Sequence, residues 1–252
     1  MRPLLLASAI TASALSATPA GAGVMFDENV TPDVIFGSGN VNGNFTVDQR
    51  NGIELGLRGK LRYNLSGDAE DTFNSNGAGG YTFNPANANA PSDRSIFNFD
   101  WSVNSNYDGT GEDLLNNNYL LSIDYDPTAG TSRTVDFDPI NLSFADHDIG
   151  DNTTVNGGGV VATDSAEYAS LIANNNVAQN SWNLGFFEPA GFDPQTEGLY
   201  TINLQALDSD NNNVLAQTSI DVQSGSVPVS LPSSALLLLA GFAGLGFARR
   251  NG

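Results

Sequence analysis

The side chains best suited to chemistry in this chain are aspartates in tight groups: Asp124/Asp126, Asp136/Asp138, Asp146/Asp148/Asp151, and Asp208/Asp210 with Asn212. Calcium takes six to eight hard oxygens from carboxylates, amide carbonyls and backbone. Asp208-x-Asp210-x-Asn212 begins like an EF-hand loop, but Asn213 stands where that loop needs glycine and Ser219 where it needs a bidentate glutamate. It therefore reads as a hydrophilic hairpin loop. Asp146-His147-Asp148-Ile149-Gly150-Asp151-Asn152 is the better candidate for calcium, through Asp146, Asp148 and Asp151, because several oxygens fall within one glycine-containing loop.

His147 is the only histidine. A Ser-His-Asp triad would have to use it, yet Asp146 and Asp148 are too close in sequence to be the usual orienting partner, and no Gly-x-Ser-x-Gly elbow occurs. Zinc sites need more His or Cys. A lone loop histidine is expected to be solvated. Paired carboxylates can cleave glycosidic bonds, but Asp100 with Asp124, or Glu188 with Glu197, cannot be paired from sequence in so acidic a chain. No catalytic residue is assigned. Arg58, Lys60 and Arg62 share one face of a strand, either as a docking stripe for an anionic polysaccharide or as a solvent face balancing nearby acids. Trp101 and Trp182 alternate with other apolar residues and read as core rather than as a sugar-stacking platform.

The elements that must position these residues are mostly strands. From Ile53 to Leu65, apolar residues occupy alternate positions, with Glu54, Gly56, Arg58, Lys60, Arg62 and Asn64 on the other face, which predicts a half-buried strand. The same alternation marks Phe97–Val103, Tyr119–Tyr125, Trp182–Phe186, Tyr200–Ala206 and Val214–Val222, the last two forming a hairpin across Asp208–Asn213. Weaker strands are expected at Phe45–Val47, Tyr81–Phe83, Thr134–Phe137 and Ile140–Phe144. Asp164-Ser165-Ala166-Glu167 has the layout of a capping box, and Tyr168, Leu171 and Ile172 follow at helical spacing. Long Gly/Asn-rich loops are expected at 66–80, 84–93, 104–118 and 146–159. The expected fold is all-β, a β-sandwich or jelly-roll body with one short helical insertion.

Composition narrows the partners. The chain of 252 residues carries a formal net charge of −19. All 28 acidic residues but only six of the nine basic ones lie between the terminal segments, so the body is near −22. Such a surface argues against nucleic acid, whose affinity comes from Lys and Arg on phosphate. There is no cysteine, which excludes thiol catalysis, thiolate metal sites and disulfides.

The two ends read as targeting segments. Met1-Arg2, an apolar stretch from Leu4 to Leu15, and Ala20-Gly21-Ala22 have the layout of a secretory signal peptide, with cleavage expected after Ala22. At the other end, Val227-Pro228-Val229-Ser230-Leu231-Pro232-Ser233-Ser234 precedes an uncharged run to Ala248, followed by Arg249-Arg250. Leu231 to Ala248 is 18 residues, about 27 Å as a helix, just enough to span a bilayer with the arginines on the cytoplasmic side. The expected division is a signal peptide over 1–22, a β-sandwich ectodomain over 23–226 and a sorting signal over 227–252.

The C-terminal order of short proline motif, glycine-punctuated apolar helix and arginine cluster resembles the PEP-CTERM class of bacterial sorting signals, closest to its VPLPA-type variant. Val227, Pro228, Leu231, Pro232 and Ser233 match parts of that variant's motif, and Arg249 and Arg250 its basic end; the class's Pro-Glu-Pro glutamate has no counterpart. The resemblance implies an exported, non-enzymatic surface or matrix protein that passes the secretion translocon, is held in the inner membrane by its tail, and is recognised by an exosortase-type membrane protease or transpeptidase. It also implies a link to biofilm or exopolysaccharide. The alternative from the residues is a carbohydrate- or calcium-binding surface module, with a secreted hydrolase last.

Overall fold

The computed structural model describes residues 23–225. In chain order it forms β1 (Met25–Glu28), β2 (Phe45–Arg50), β3 (Ile53–Tyr63), β4 (Ala69–Thr72), β5 (Gly80–Phe83), β6 (Phe97–Asn104), β7 (Asn117–Asp124), β8 (Thr134–Phe137), β9 (Asp148–Gly150), β10 (Val160–Val161), α1 (Ser165–Ile172), β11 (Val177–Asn183), β12 (Gly198–Asp208) and β13 (Val214–Ser224). The larger sheet runs β1-β2-β3-β6-β11-β9-β10, with β4 also on β3; the smaller runs β5-β13-β12-β7-β8. Every pairing is antiparallel except β5 with β13. The body is all-β, with α1 the single α-helix among the described residues.

The two sheets pack face to face, β13 lying over β2 and β3. Alternation decides what fills the space between them. Leu55 and Leu57 of β3 and Phe97, Phe99, Trp101 and Val103 of β6 meet Leu121 and Ile123 of β7, Ile202 and Leu204 of β12, and Ile220 and Val222 of β13, all buried. Phe97 stacks on Phe83 with centroids 6.1 Å apart and tilts against Tyr200 at 5.9 Å. Gly59 is required where the sheets come closest: a Cβ there would lie 3.0 Å from Tyr81 Cβ and 3.1 Å from Val222 Cγ2.

β3 is not half-buried. Its first nine residues are buried on both faces, because the chain from Asn29 to Asn44 folds across the outer face of the larger sheet. Val30, Val34 and Phe36 from this strap form a second apolar cluster with Phe45 and Val47 of β2. β2 is therefore inverted: Thr46 and Asp48 point between the sheets, where Thr46 O accepts from the Thr218 hydroxyl and Asp48 Oδ2 from the Gln217 N–H, at 2.9 and 2.8 Å. Asn51-Gly52, both at positive φ, close the two-residue β2–β3 hairpin, the turn that this dipeptide favours.

Several elements depart from expectation for local reasons. The strand expected to reach Leu65 stops at Tyr63, because Asn64 accepts from Ser66 and Asp68 N–H and turns the chain. Ile140–Phe144 is no strand: the Asp138 carboxylate accepts from Ile140 and Asn141 N–H, making a turn after Pro139. The strand expected through Phe186 ends at Asn183, whose side chain accepts from Gly185 N–H and opens a 3₁₀ turn over Leu184–Phe186. The loops expected at 66–80 and 146–159 contain β4 and β9. Asp164 caps α1, accepting from Ala166 and Glu167 N–H, while Glu167 reaches back to Thr163 rather than to the cap residue. Among the described residues no helix is long and apolar enough to cross a membrane; the apolar run 231–248 lies outside them.

Candidate functional site

The outer face of the larger sheet carries a row of polar side chains that alternation throws to one side: Glu54, Arg58 and Lys60 from β3, Asp100 and Asn104 from β6, Gln179 from β11. All six are buried. This corrects both readings of the Arg58-Lys60-Arg62 stripe, since Arg58 is 0% exposed and Lys60 5%. At Arg58 and Lys60 the face is covered, and neither a docking surface nor a solvent face describes it there; Arg62, near the strand's end, is half-buried.

These side chains serve the strap's backbone, which has no ladder of its own and must find partners elsewhere. Arg58 Nη1 donates to Val41 O and Gly43 O, each at 2.8 Å. Glu54 accepts from Thr31 N–H and hydroxyl and from Gln49. Gln179 accepts from Ile35 N–H and donates to Asp33 O, both at 2.8 Å. Asn104 donates to Thr31 O at 3.0 Å. Burial pushes the Glu54 carboxyl up from its ordinary range, partly offset by the Thr31 and Gln49 hydrogen bonds.

At the centre, Arg58 Nε donates to Asp100 Oδ2 at 2.8 Å, with neither side chain exposed. The guanidinium carbon lies 4.2 Å from the centroids of both the Phe45 and the Phe73 ring, a cation–π contact on each, while Nη2 makes no hydrogen bond. Lys60, the only lysine, sits 3.2 Å from Asp71 and 3.6 Å from Asp100.

His147 is also corrected: it is fully buried, not solvated. Its ring packs edge-on to Trp101 at 4.9 Å and lies 5.5 Å from Trp182 and 5.9 Å from Tyr168. Nε2 lies 2.6 Å from Pro139 O, and Asn180 Nδ2 lies 3.2 Å from Nδ1. The network assigns the proton to Nε2, with Nδ1 accepting from Asn180. Nε2 thus closes the 139–147 segment on itself, and Nδ1 ties it to β11. Trp101 and Trp182 are core residues, as their alternation implies.

Burial lowers the His147 pKa, against smaller raising effects from the Pro139 hydrogen bond and Asp146. The sign follows. The unfolded chain takes up a proton below about pH 6.5, while the folded imidazole resists it, so the stability that neutral His147 supplies is lost as pH falls below that point. Asp148 acts oppositely: burial and Asp146 raise its carboxyl to about 6, so it costs stability as pH rises from its unfolded value of 3.8 through about 6. Subtracting the melting curves of His147→Gln from those of wild type cancels Asp148 and isolates the histidine. The wild-type advantage is expected to shrink between pH 7.5 and 5. A pH-independent difference would refute a buried neutral imidazole.

The proposed calcium ligands each have partners in the protein or on its strands. Asp146 Oδ1 accepts from Asn180 at 3.2 Å. Asp148 lies in β9 on the row of Gln179. Asp151 Oδ1 accepts from the N–H and hydroxyl of Thr153. Among the described residues no group of three or more His, Asp or Glu side chains is placed to hold a metal ion. Asp208 Oδ1 accepts from Asp210 and Asn211 N–H within its hairpin, consistent with a polar turn. Asp100 and Asp124 occupy different sheets and face away from each other; Glu188 and Glu197 are both exposed. The signal-cleavage residues Ala20 and Ala22 lie outside the described residues. So do the sorting residues Val227, Pro228, Leu231, Pro232, Ser233, Arg249 and Arg250.

One surface that sequence reading missed is a groove of about 260 Å³ on the outer face of the smaller sheet, lined by Ser122 and Asp124 of β7, Thr134 and Asp136 of β8, and Thr201 and Asn203 of β12. Every one of these side chains ends in an oxygen donor. The available signal was that Asp124 and Asp136 fall on two consecutive strands, β7 and β8, that pair antiparallel. No family model, no curated protein and no solved structure matches this chain.

Proposed function

We propose that the chain is a non-enzymatic exported protein of the cell surface or extracellular matrix. In this reading its β-sandwich body is delivered by the signal peptide through the secretion translocon. The C-terminal tail holds it in the inner membrane and is processed by an exosortase-type protease or transpeptidase. The observation that carries this is the order of proline motif, uncharged run and Arg249-Arg250. A supporting one is that buried Arg58 and His147, the side chains with the most chemical potential, are engaged with backbone carbonyls. A role in biofilm or exopolysaccharide is what the resemblance implies.

The test is the intact mass of the protein recovered from membrane, surface and medium fractions of a Gram-negative host with an exosortase. The expected species begins at Gly23 and ends within 227–234, with any attached group visible as added mass. A chain running through Gly252 and confined to the membrane fraction would overturn the sorting reading and leave a single-span anchor.

A further inference from the structure

The groove on the smaller sheet has a charge distribution that no side chain in it balances. β7 and β8 pair so that Asp124 stands opposite Thr134 and Ser122 opposite Asp136; the two aspartates are diagonal neighbours on one face, within reach of a shared ion. Asp124 is 1% exposed. Its Oδ1 accepts from Asp126 N–H at 3.0 Å and Arg133 N–H at 3.2 Å. Its Oδ2 is buried and has no hydrogen-bond partner among the described residues. A carboxylate oxygen left so is costly unless a cation or donor meets it.

No basic side chain lines the groove. The nearest in sequence, Arg133, sends Nη2 to Ala190 O instead, at 3.0 Å. Asp126, beside the groove, adds negative charge while its own oxygens are taken by Thr128 and Ser132. What remains is one buried and one exposed carboxylate, ringed by hydroxyl and amide oxygens, with no nitrogen or sulfur ligand of the kind transition metals select.

We propose that this groove is a calcium site in which Asp124 Oδ2 and the Asp136 carboxylate are the anionic ligands and neighbouring hydroxyl and amide oxygens complete the shell. Calcium fits better than magnesium because an irregular set of hydroxyls and amides on strands suits its flexible shell, whereas magnesium demands near-octahedral geometry and keeps its waters. The site is distinct from the 146–151 loop and does not depend on how the chain is sorted.

The experiment is calorimetric titration of the full chain in detergent, stripped with EDTA, with calcium chloride, alongside thermal melts. The expected result is saturable one-site binding that magnesium does not reproduce, with the melting temperature rising about 5–10 °C at a hundredfold excess over Kd. Asp136→Asn and Asp124→Asn are each expected to weaken binding at least tenfold, while Asp146→Asn and Asp151→Asn leave it unchanged. Asp124→Asn keeps a carbonyl for the Asp126 and Arg133 N–H groups; should it fail to fold, the exposed Asp136→Asn decides alone. No saturable binding, equal binding of magnesium, or binding indifferent to Asp136→Asn would each overturn the proposal.

Discussion

Arg58→Ala is expected to destabilise the body by about 3–5 kcal/mol, the usual cost of removing one partner from a fully buried ion pair. For a body of this size that is a fall in melting temperature of roughly 6–20 °C, from a total stability of only about 5–15 kcal/mol. The loss has three sources. Asp100, 0% exposed, would keep a charge with only Lys60 near it, at 3.6 Å. Val41 O and Gly43 O would lose their donor. The Phe45 and Phe73 rings would lose the guanidinium packed on them. Arg58→Lys is expected to rescue little, because an ammonium cannot reach Asp100 and both carbonyls while contacting both rings. Arg58→Met with Asp100→Leu is expected to recover most of the stability, since an apolar pair removes the uncompensated charge. Urea unfolding of wild type and the three variants measures this; an Arg58→Ala loss below about 1 kcal/mol would show the pair to be solvent-screened and the strap loosely held.

Trp101→Ala carries the second large effect, about 3–5 kcal/mol from lost burial and the cavity left behind. Trp101 is fully buried beside Trp182, at 5.2 Å between ring centroids, and His147 packs on it. Its removal withdraws one wall from His147, the residue that ties the 139–147 segment to β11. Trp101→Phe is expected to cost less than half as much. It keeps a ring in place and deletes the indole N–H, which has no hydrogen-bond partner. The chain has two tryptophans, so near-ultraviolet circular dichroism of Trp101→Ala reports Trp182 alone. Collapse of its signal would place both rings in one rigid cluster; an undisturbed Trp182 spectrum with a small stability loss would contradict that packing.

What could be read from the residues follows a physical boundary. Alternation located β3, β6, β7, β12 and β13, because a strand's side chains take turns and each inner face is apolar. Alternation says which residues share a face; it does not say whether that face is roofed. Arg58 and Glu54 look solvent-facing until a strap from 29–44 is laid over them, and the strap shows no periodicity because it has no regular structure. β2 misleads for the same reason: Phe45 and Val47 serve the outer cluster, so its polar residues point inward. His147 belongs to a segment whose turn is set by Asp138 and Pro139, leaving no pattern to announce a buried ring. The calcium candidates show the same boundary. Closeness along the chain suggested Asp146, Asp148 and Asp151; that Asp124 and Asp136 share one face follows only from the pairing of β7 with β8.

The parallel pairing of β5 with β13 has a consequence for the order of assembly. β13 is the last strand among the described residues, yet it occupies an inner position of the smaller sheet, between β5 and β12, and lies over β2 and β3. Residues 80–83, bridged locally only at Ser75–Tyr81, must therefore wait for residues 221–224 before they join the sheet. Contacts so distant in sequence close slowly, since the loop entropy is spent before the contact forms. A chain emerging from its N-terminus cannot finish either face of its core until nearly the whole body is out. Nascent lengths ending before Val214 would leave the inner face of β2 and β3 uncovered and one edge of β12 unpaired. Such a polypeptide stays open by topology alone, and commits to its native state only once β13 arrives.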